Sequence, residues 1–461
     1  MEKKKKPKWG STLFIIILLI VVFGFIYPKY SFGYFIKSIR ENGTASFSRD
    51  HEIKYSDEAS YKIENENYSD ALFYQTVKVI PNTTYRVSCM VKTEFVQNLN
   101  DTKTGGAHIS IPGSTEKSEN IYGTNDWTKI EMLFNSKNRE EVDIAFRLGG
   151  YNDESKGVAY FSDFKLEMGT QDYDNSWHFV CFIFESIDAT YESDGDMYHT
   201  QATTNQRNRE DVYDDMRRLK NTIKEFSFQN MEITYDIITI KEPVEHLSYD
   251  EMNGFYIDVY DVLHSIKPYL EVAEYDHIFL ASPMGEANID STTDLPIWVG
   301  LGGMDYNGVG YSNIRLSQVE NDYTLRYDTR INTFPEEVFL HEFLHTLERN
   351  AIEYGYEDTP ELHDYEKYGY TEEEYIGLKD WYEAYMRQTI KTQNGSFIGL
   401  PEQVYSSKPA QRSNFNEATE IDGIKETDNI FEEVLSIIER TKYIFDQINH
   451  GEVGQTVVIE V

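Results

Sequence analysis

The chain has 461 residues, which is more than one typical hydrophobic core supports, so two or three domains are expected. Its 79 acidic and 43 basic residues give a formal net charge of -36, which argues against a protein that coats nucleic acid or anionic lipid. The two cysteines, Cys89 and Cys181, fall in different predicted domains, so neither a disulfide framework nor a cysteine-rich metal site is expected.

The first predicted element is a membrane anchor. Five lysines within residues 3–8 precede a nearly unbroken apolar run from Leu13 to Tyr27, and aromatic residues follow it. The run is short for a bilayer span, but the aromatics suit the membrane interface, and the lysines favour keeping the first residues inside the cell. We therefore expect residues 1–28 to form a cytoplasmic tail and an uncleaved signal-anchor helix, followed by a stalk over 29–45. The protein would then be a single-pass cell-membrane protein, mostly extracellular; a cleaved signal peptide is the alternative.

Short strands separated by polar turns are predicted for residues 46–168. The segments 84–91 and 142–148 alternate apolar and polar residues, as strands with one buried face do. Strands of this length and spacing predict an all-β sandwich.

This region also resembles the jelly-roll carbohydrate-binding modules of families four and nine. The resemblance is carried by the segments 74–79, 81–85, 125–128 and 159–167. It implies a jelly-roll fold and makes a glycan a candidate partner of residues 46–168, with a structural spacer as the alternative. Trp127 is expected to be a core residue rather than a sugar platform.

The period of the pattern changes after residue 175. Buried strands and amphipathic helices alternate, with strands near 178–184, 231–240 and 277–281 and helices near 209–226 and 255–270. Such alternation predicts an α/β domain with a mixed sheet and crossover helices. The glycine-rich segment 300–306 is expected to be an irregular loop and 308–316 an edge strand.

His341 and His345 lie four residues apart in a segment with a helical apolar pattern. On a helix this spacing puts both imidazoles on one face, where they can bind one zinc at about 2.0 to 2.1 Å. Glu342 lies beside them and can take a proton from a water that the metal activates. The pattern predicts a Zn²⁺ site with Glu342 as general base; two helix histidines in ordinary hydrogen bonds are the alternative.

The strands and helices that lead to this helix, together with its His-Glu-x-x-His pattern, resemble the zincin metallopeptidases. The resemblance implies hydrolysis of a protein or peptide substrate, with a third zinc ligand from a segment beyond the helix. The chain departs from the metzincin pattern, because Glu348 and Ala351 stand where that group has glycine and histidine. Glu348 shares the metal-facing side of the helix if the helix is regular, and it is a candidate to orient a ligand histidine; a solvent-exposed helix acid is the alternative.

His363 is the predicted third ligand. It follows the expected helix terminator Gly355 and the break at Pro360, and no other histidine lies between His345 and His450. Asp364, Glu361 and Glu383 remain alternatives. Tyr368 and Tyr370 are candidates to stabilise the oxyanion, although structural roles are the alternative for each.

The remaining sequence predicts packing elements without chemistry, an acidic helix over 429–449 and a short strand over 456–461. The predicted architecture is multidomain: an N-terminal transmembrane helix, an all-β jelly-roll sandwich, and an α/β zincin-like metallopeptidase domain over 175–461. The sandwich and the α/β domain are expected to have separate cores. Two other functions stay open: a surface glycan-binding adhesin with a non-catalytic zincin fold, and a metal-dependent hydrolase of glycan or peptidoglycan amides.

Overall fold

The computed structural model describes residues 31–32, 35–40, 43–99, 105–150, 153–170, 174–193, 196–250, 254–283, 300–316, 333–373, 376–421 and 424. The predicted anchor over 1–28 and the C-terminal elements predicted at 429–449 and 456–461 lie outside these residues. Within the described ranges, every helix is too short or too polar to cross a bilayer.

Ten strands in the first part of the chain form a β-sandwich. They are β1 (Ser31–Phe32), β2 (Phe35–Ile39), β3 (Ser46–Asp50), β4 (Ser60–Ser69), β5 (Ala71–Lys78), β6 (Thr84–Asn98), β7 (Ala107–Ser110), β8 (Gly123–Asn135), β9 (Glu141–Leu148) and β10 (Ser155–Met168). One sheet has the order β1-β2-β5-β9-β7 and the other β3-β4-β10-β6-β8, and neighbouring strands are antiparallel.

Alternating side chains build the core of this sandwich domain. In β9, Val142, Ile144, Phe146 and Leu148 are buried, whereas Asp143 and Arg147 are partly exposed and the small Ala145 is buried on the other face. Phe146 stacks on Phe73 of the neighbouring strand, with ring centroids 5.4 Å apart. The period-2 pattern of the sequence therefore corresponds to one buried face per sheet, as predicted for a sandwich.

Three details differ from the expectations for this domain. The segment predicted as a stalk contains strand β2, because the Phe35 side chain is fully buried in the sandwich core. A strand from the far end of the chain, β22 (Thr419–Glu420), pairs with β10. Trp127 is partly exposed and lies outside the sandwich core, with its ring 5.8 Å from that of Tyr55.

The second domain is built on a five-stranded mixed sheet with the order β14-β11-β17-β19-β18. Its strands are β11 (Ser176–Phe184), β14 (Glu232–Ile240), β17 (His277–Ser282), β18 (Gly300–Tyr306) and β19 (Val309–Arg315). All pairs are parallel except β18 with β19, so β18 runs against the others at the edge of the sheet. This arrangement agrees with the mixed sheet that the sequence predicts.

The remaining strands form three hairpins or short ladders outside the main sheet. They are β12 (Ser186–Ser193) with β13 (Asp196–Thr203), β15 (Ser248–Asp250) with β16 (Gly254–Tyr256), and β20 (Ile390–Lys391) with β21 (Phe397–Ile398). The long hairpin β12–β13 was not anticipated, although Asp194-Gly195 between its two strands is a strong hairpin turn signal in the sequence.

Four helices of the described chain flank the sheet: α1 (Gln206–Phe226), α2 (Val259–Leu270), α3 (Glu337–Glu353) and α4 (Lys379–Met386). Helix α3 carries the histidine pair and packs Phe343 between Trp177 and Phe179 of β11, with ring centroids 5.3 and 4.7 Å away. Aromatic pairs of this kind contribute about 0.5 to 1.5 kcal/mol each. They fix α3 on the face of the sheet.

The glycine-rich segment is a strand and not the predicted loop. Gly300 and Gly302 lie in β18 where it passes α3, and a β-carbon on Gly302 would sit 2.7 Å from the backbone oxygen of Glu342. Only glycine allows a strand and a helix to approach this closely. The glycines are therefore packing residues of the edge strand.

The main apolar clusters of the two domains are separate, but a small apolar cluster of Leu133 with Ala410 and Phe415 and several buried polar contacts join the domains. The ammonium group of Lys137, on a turn of the sandwich domain, lies 3.0 Å from Oδ1 of Asn350 and 3.4 Å from Glu353 on α3. Lys117 of the sandwich lies over the ring of Tyr260 of α2, 4.4 Å from its centroid. Burial lowers the pKa of both lysines. The sandwich therefore contacts the helix that bears the histidine pair.

Candidate metal centre

Three imidazoles meet at one point on the surface of α3. Ligand atoms of His341, His345 and His363 all lie within 4.8 Å of one another. Nε2 of His345 is 3.2 Å from Nε2 of His341 and 3.1 Å from Nε2 of His363. Three nitrogens bound to one zinc at tetrahedral angles would be separated by about 3.3 Å. The two separations from His345 match this value, and all three side chains offer the imidazole nitrogens that zinc prefers.

His363 reaches this point because the chain turns back after α3. Gly355 adopts a left-handed conformation with φ of 84° and ends the helix. The buried Leu362 is then held on both sides of its backbone: its N–H donates to Oε1 of Glu348 at 2.6 Å, and its carbonyl accepts from Nε1 of Trp381 at 2.8 Å. The backbone next to His363 is thereby fixed relative to α3.

The Nδ1 atoms of both helix histidines have partners that orient the rings. Nδ1 of His341 lies 3.0 Å from the hydroxyl of Tyr382, and Nδ1 of His345 lies 2.9 Å from Oε2 of Glu348. With a proton on each Nδ1, both Nε2 atoms are acceptors that face the centre of the cluster. Glu348 therefore binds one histidine of the cluster and the backbone next to another.

Glu342 is buried beside the cluster, with 4% of its surface exposed. Its carboxyl group accepts a hydrogen bond from the N–H of Gly302 and packs against Gly300, where an added β-carbon would lie 2.4 Å from Oε1. Strand β18 therefore forms one wall around the carboxyl group. Among the described residues of α3, Glu342 is the only acidic residue whose carboxyl group contacts the glycines of β18.

The electrostatics of the cluster follow from burial and from neighbouring charges. Burial raises the pKa of Glu342 to about 8. Burial disfavours a charged His345, but the hydrogen bond to Glu348 and the charges of Glu342 and Glu348 outweigh it and raise the pKa of His345. Burial, with the charge of His345, lowers the pKa of His363.

The other predicted candidates lie elsewhere. Asp364 pairs with Lys367 at 2.5 Å, and Glu383 pairs with Arg387, so neither carboxylate joins the cluster. Glu361 is exposed, and its carbonyl accepts from the backbone N–H of Asp364.

The two tyrosines proposed for the oxyanion pack on a tryptophan. The rings of Tyr368 and Tyr370 lie 6.0 and 5.3 Å from that of Trp381. Tyr382, on α4, contacts the cluster through His341, although the sequence predicts no role for it. Its only signal was its position one residue after Trp381 in an aromatic helix.

The chain is similar to several solved structures at low sequence identity. No protein-family description and no curated protein matches the chain. Among solved structures, the carbohydrate-binding module TmCBM61 in complex with beta-1,4-galactotriose is 16% identical, with 30% of this chain and 91% of that chain covered and a TM-score of 0.21. The CBM22-1 xylan-binding domain from Paenibacillus barcinonensis is 12% identical, with 29% and 85% covered and a TM-score of 0.20.

A tailspike domain is similar to a comparable extent. The enzymatically active domain of tailspike protein 4 of bacteriophage CBA120 is 12% identical, with a TM-score of 0.23, and the similar region covers 30% of this chain but only 20% of that one. These similarities each cover about 30% of this chain. At such TM-scores they support no conclusion about ligand or activity.

Proposed function

We propose that this protein is a zinc metallopeptidase in which His341, His345 and His363 hold the metal and Glu342 is the general base. The observation that carries the proposal is the meeting of three imidazole nitrogens beside one buried carboxyl group. A purely structural metal site needs no such carboxyl, whereas hydrolysis needs a base within reach of the attacking water.

Zinc on three histidines would supply Lewis-acid polarisation of a water and of a substrate carbonyl. The residues of the chain would do the rest. Glu342, held by the N–H of Gly302, would accept and then return a proton at its carboxyl group. The positive charge of a bound zinc would favour the ionised form of this carboxyl group. Glu348 and Tyr382 would keep the histidine rings in the orientation that presents Nε2.

The edge strand supports a peptide as the substrate. Strand β18 is at the end of the main sheet as the described residues define it, and it runs directly past Glu342. An extended peptide can add to such an edge through its backbone groups, which sugar chains do not offer. We therefore place peptide bonds ahead of glycan amides as the target of hydrolysis.

The direct test is the variant Glu342→Gln assayed on a mixture of unstructured peptides. The amide keeps the shape but cannot accept the proton, so turnover should fall by about 10² to 10⁴-fold while zinc content stays unchanged. Full activity in this variant would disprove the assigned role. Wild-type protein that leaves peptides intact but cleaves peptidoglycan amides would identify the alternative hydrolase.

The anchor predicted over residues 1–28 would place this activity at the outer side of the cell membrane. This placement is tested by adding protease to intact cells. Digestion of the sandwich and α/β domains in intact cells is expected, and their protection would contradict the proposed orientation.

A second function is proposed for the sandwich domain, namely glycan binding. Tyr55 is 51% exposed and lies next to the partly exposed Trp127 on the outside of the sheet that contains β8. Exposed aromatic rings are suited to stacking on the apolar face of a sugar. Trp127→Ala should abolish retention of the protein on a glycan array. If the wild-type protein binds no glycan there, the sandwich is a spacer.

A further inference from the structure

The position of the Glu342 carboxyl group depends on a β-bulge in strand β18. The pairing of β18 with β19 shifts register between Leu301 and Met304, and Gly303 within this interval has a φ of 79°. Such a bulge re-aims the backbone groups next to it. Here it presents the N–H of Gly302 to the carboxyl group of Glu342.

Arg349 also contacts this bulge. Its Nη1 donates to the carbonyl oxygen of Gly303 at 3.0 Å and to Oδ1 of Asp305 at 3.2 Å. Asp305 is buried, with 2% of its side chain exposed, so its pairing with the guanidinium is largely shielded from water. Arg349 thus fixes the strand on both sides of Met304.

The same arginine lies on the helix that carries the metal ligands. Arg349 follows His345 by four residues and Glu342 by seven, so it occupies the same side of α3. One rigid helix therefore presents two ligand histidines, the carboxyl group, and the cation that holds the strand above that carboxyl group.

The sandwich domain secures the partners of Arg349. The hydroxyl of Thr115 donates to Oδ1 of Asp305. Glu353, whose carboxylate lies 4.0 Å from Nε of Arg349, is held at 3.4 Å by Lys137. Both contacts reach across the domain interface, so the position of Arg349 depends on the sandwich being in place.

From these contacts we infer that Arg349 is a positioning residue, which holds the Gly302–Gly303 bulge and through it the general base Glu342. This inference rests on the proposed peptidase function. It predicts a loss in the rate of the chemical step and not in metal binding, because no contact of Arg349 involves a ligand histidine.

The experiment compares Arg349→Met and Arg349→Lys in the full chain with the control Arg218→Met. Arg218 pairs with Asp214 within helix α1. On a peptide substrate, Arg349→Met should lower kcat by about 10- to 100-fold with KM within about twofold and zinc content unchanged, because small displacements of a base are costly. Arg349→Lys should recover part of kcat, and Arg218→Met should resemble the wild type.

Hydrogen exchange of residues 300–306 gives a second readout that needs no activity. Exchange in this segment should rise in Arg349→Met and stay unchanged in Arg218→Met. If Arg349→Met does not fold, Asp305→Asn is expected to give the same two effects in milder form. Wild-type kcat together with wild-type exchange overturns the inference. So does a loss of zinc parallel to the loss of kcat, because Arg349 would then support the whole fold.

The two readouts also separate this inference from the proposed function. If the wild-type protein hydrolyses no peptide but exchange at 300–306 rises in Arg349→Met, the peptidase proposal fails and the arginine still holds the bulge. If the wild type is active and neither readout responds to Arg349→Met, the peptidase proposal stands and the positioning role fails.

Discussion

Lys137→Met tests whether the interface between the two domains stabilises the helix of the metal centre. Lys137 has 7% of its surface exposed, donates to Oδ1 of Asn350 at 3.0 Å, and lies 5.0 Å above the ring of Tyr354. Methionine keeps an apolar stem against that ring but leaves the acceptor of Asn350 without its cation. The φ of 54° at this position strains lysine and methionine alike, so backbone strain cancels in the comparison.

The magnitude follows from the lost contacts. A buried acceptor left without its partner costs about 1 to 3 kcal/mol. The pair with Glu353 adds little, because a third of that side chain is exposed (33%) and surface pairs contribute about 0 to 1 kcal/mol. We expect the free energy of unfolding to fall by about 2 kcal/mol in Lys137→Met, since removal of a buried charge offsets part of the loss.

The assay is urea unfolding followed by the fluorescence of the buried Trp177 and Trp381 in the α/β domain. The control is Lys129→Met, which removes an exposed lysine of the same domain that pairs with Glu131 at 3.0 Å, and it should cost less than about 0.5 kcal/mol. Equal stabilities of the two variants would refute the claim that the interface supports α3.

Three further predictions concern the site and its surroundings. His363→Ala should lower zinc affinity steeply, whereas Asp364→Ala should change it little because that carboxylate pairs with Lys367; the reverse order in a chelator competition would identify the aspartate as the ligand. Gly302→Ala should reduce kcat by about tenfold or more, since its β-carbon would lie 2.8 Å from Oε2 of Glu342, and an unchanged kcat would contradict the packing role of this glycine. Burial raises the pKa of Asp276 to about 6, so the folded state holds more protons than the unfolded state between about pH 4 and 6. The stability of the wild type relative to Asp276→Asn should therefore fall by about 3 kcal/mol as pH rises through that range. A stability difference that does not change with pH in urea unfolding would contradict this.

The part of the candidate site that lies on one helix follows from local sequence patterns. His341 and His345 converge because a helix repeats every 3.6 residues, and the structure forms that helix. His363 was singled out by exclusion, after a helix terminator and a chain break, and the structure brings it to the other two. The reach of Glu348 to His345 follows from the same helical repeat.

The parts of the fold and of the candidate site that depend on segments distant in sequence could not be predicted from local patterns. The glycines of β18 resemble a loop in composition, and their role is visible only once α3 packs on them. Lys137 is one of many lysines in the sequence, and nothing near it indicates burial against a helix more than 200 residues further on. Phe35 was assigned to a stalk because strand β2 is short and its partner strand begins at Ala71. Contacts between segments far apart in the sequence determine the structure at these positions, and a local sequence pattern does not predict such contacts.

The zinc content of the protein purified without a histidine tag is the most direct measurement of the central claim. Three imidazoles at this spacing predict about one zinc per chain, kept in Glu342→Gln, which retains all three ligands, and lost in His363→Ala. Wild-type protein that carries no stoichiometric metal, even after dialysis against zinc, would contradict the metal centre and with it the proposed peptidase.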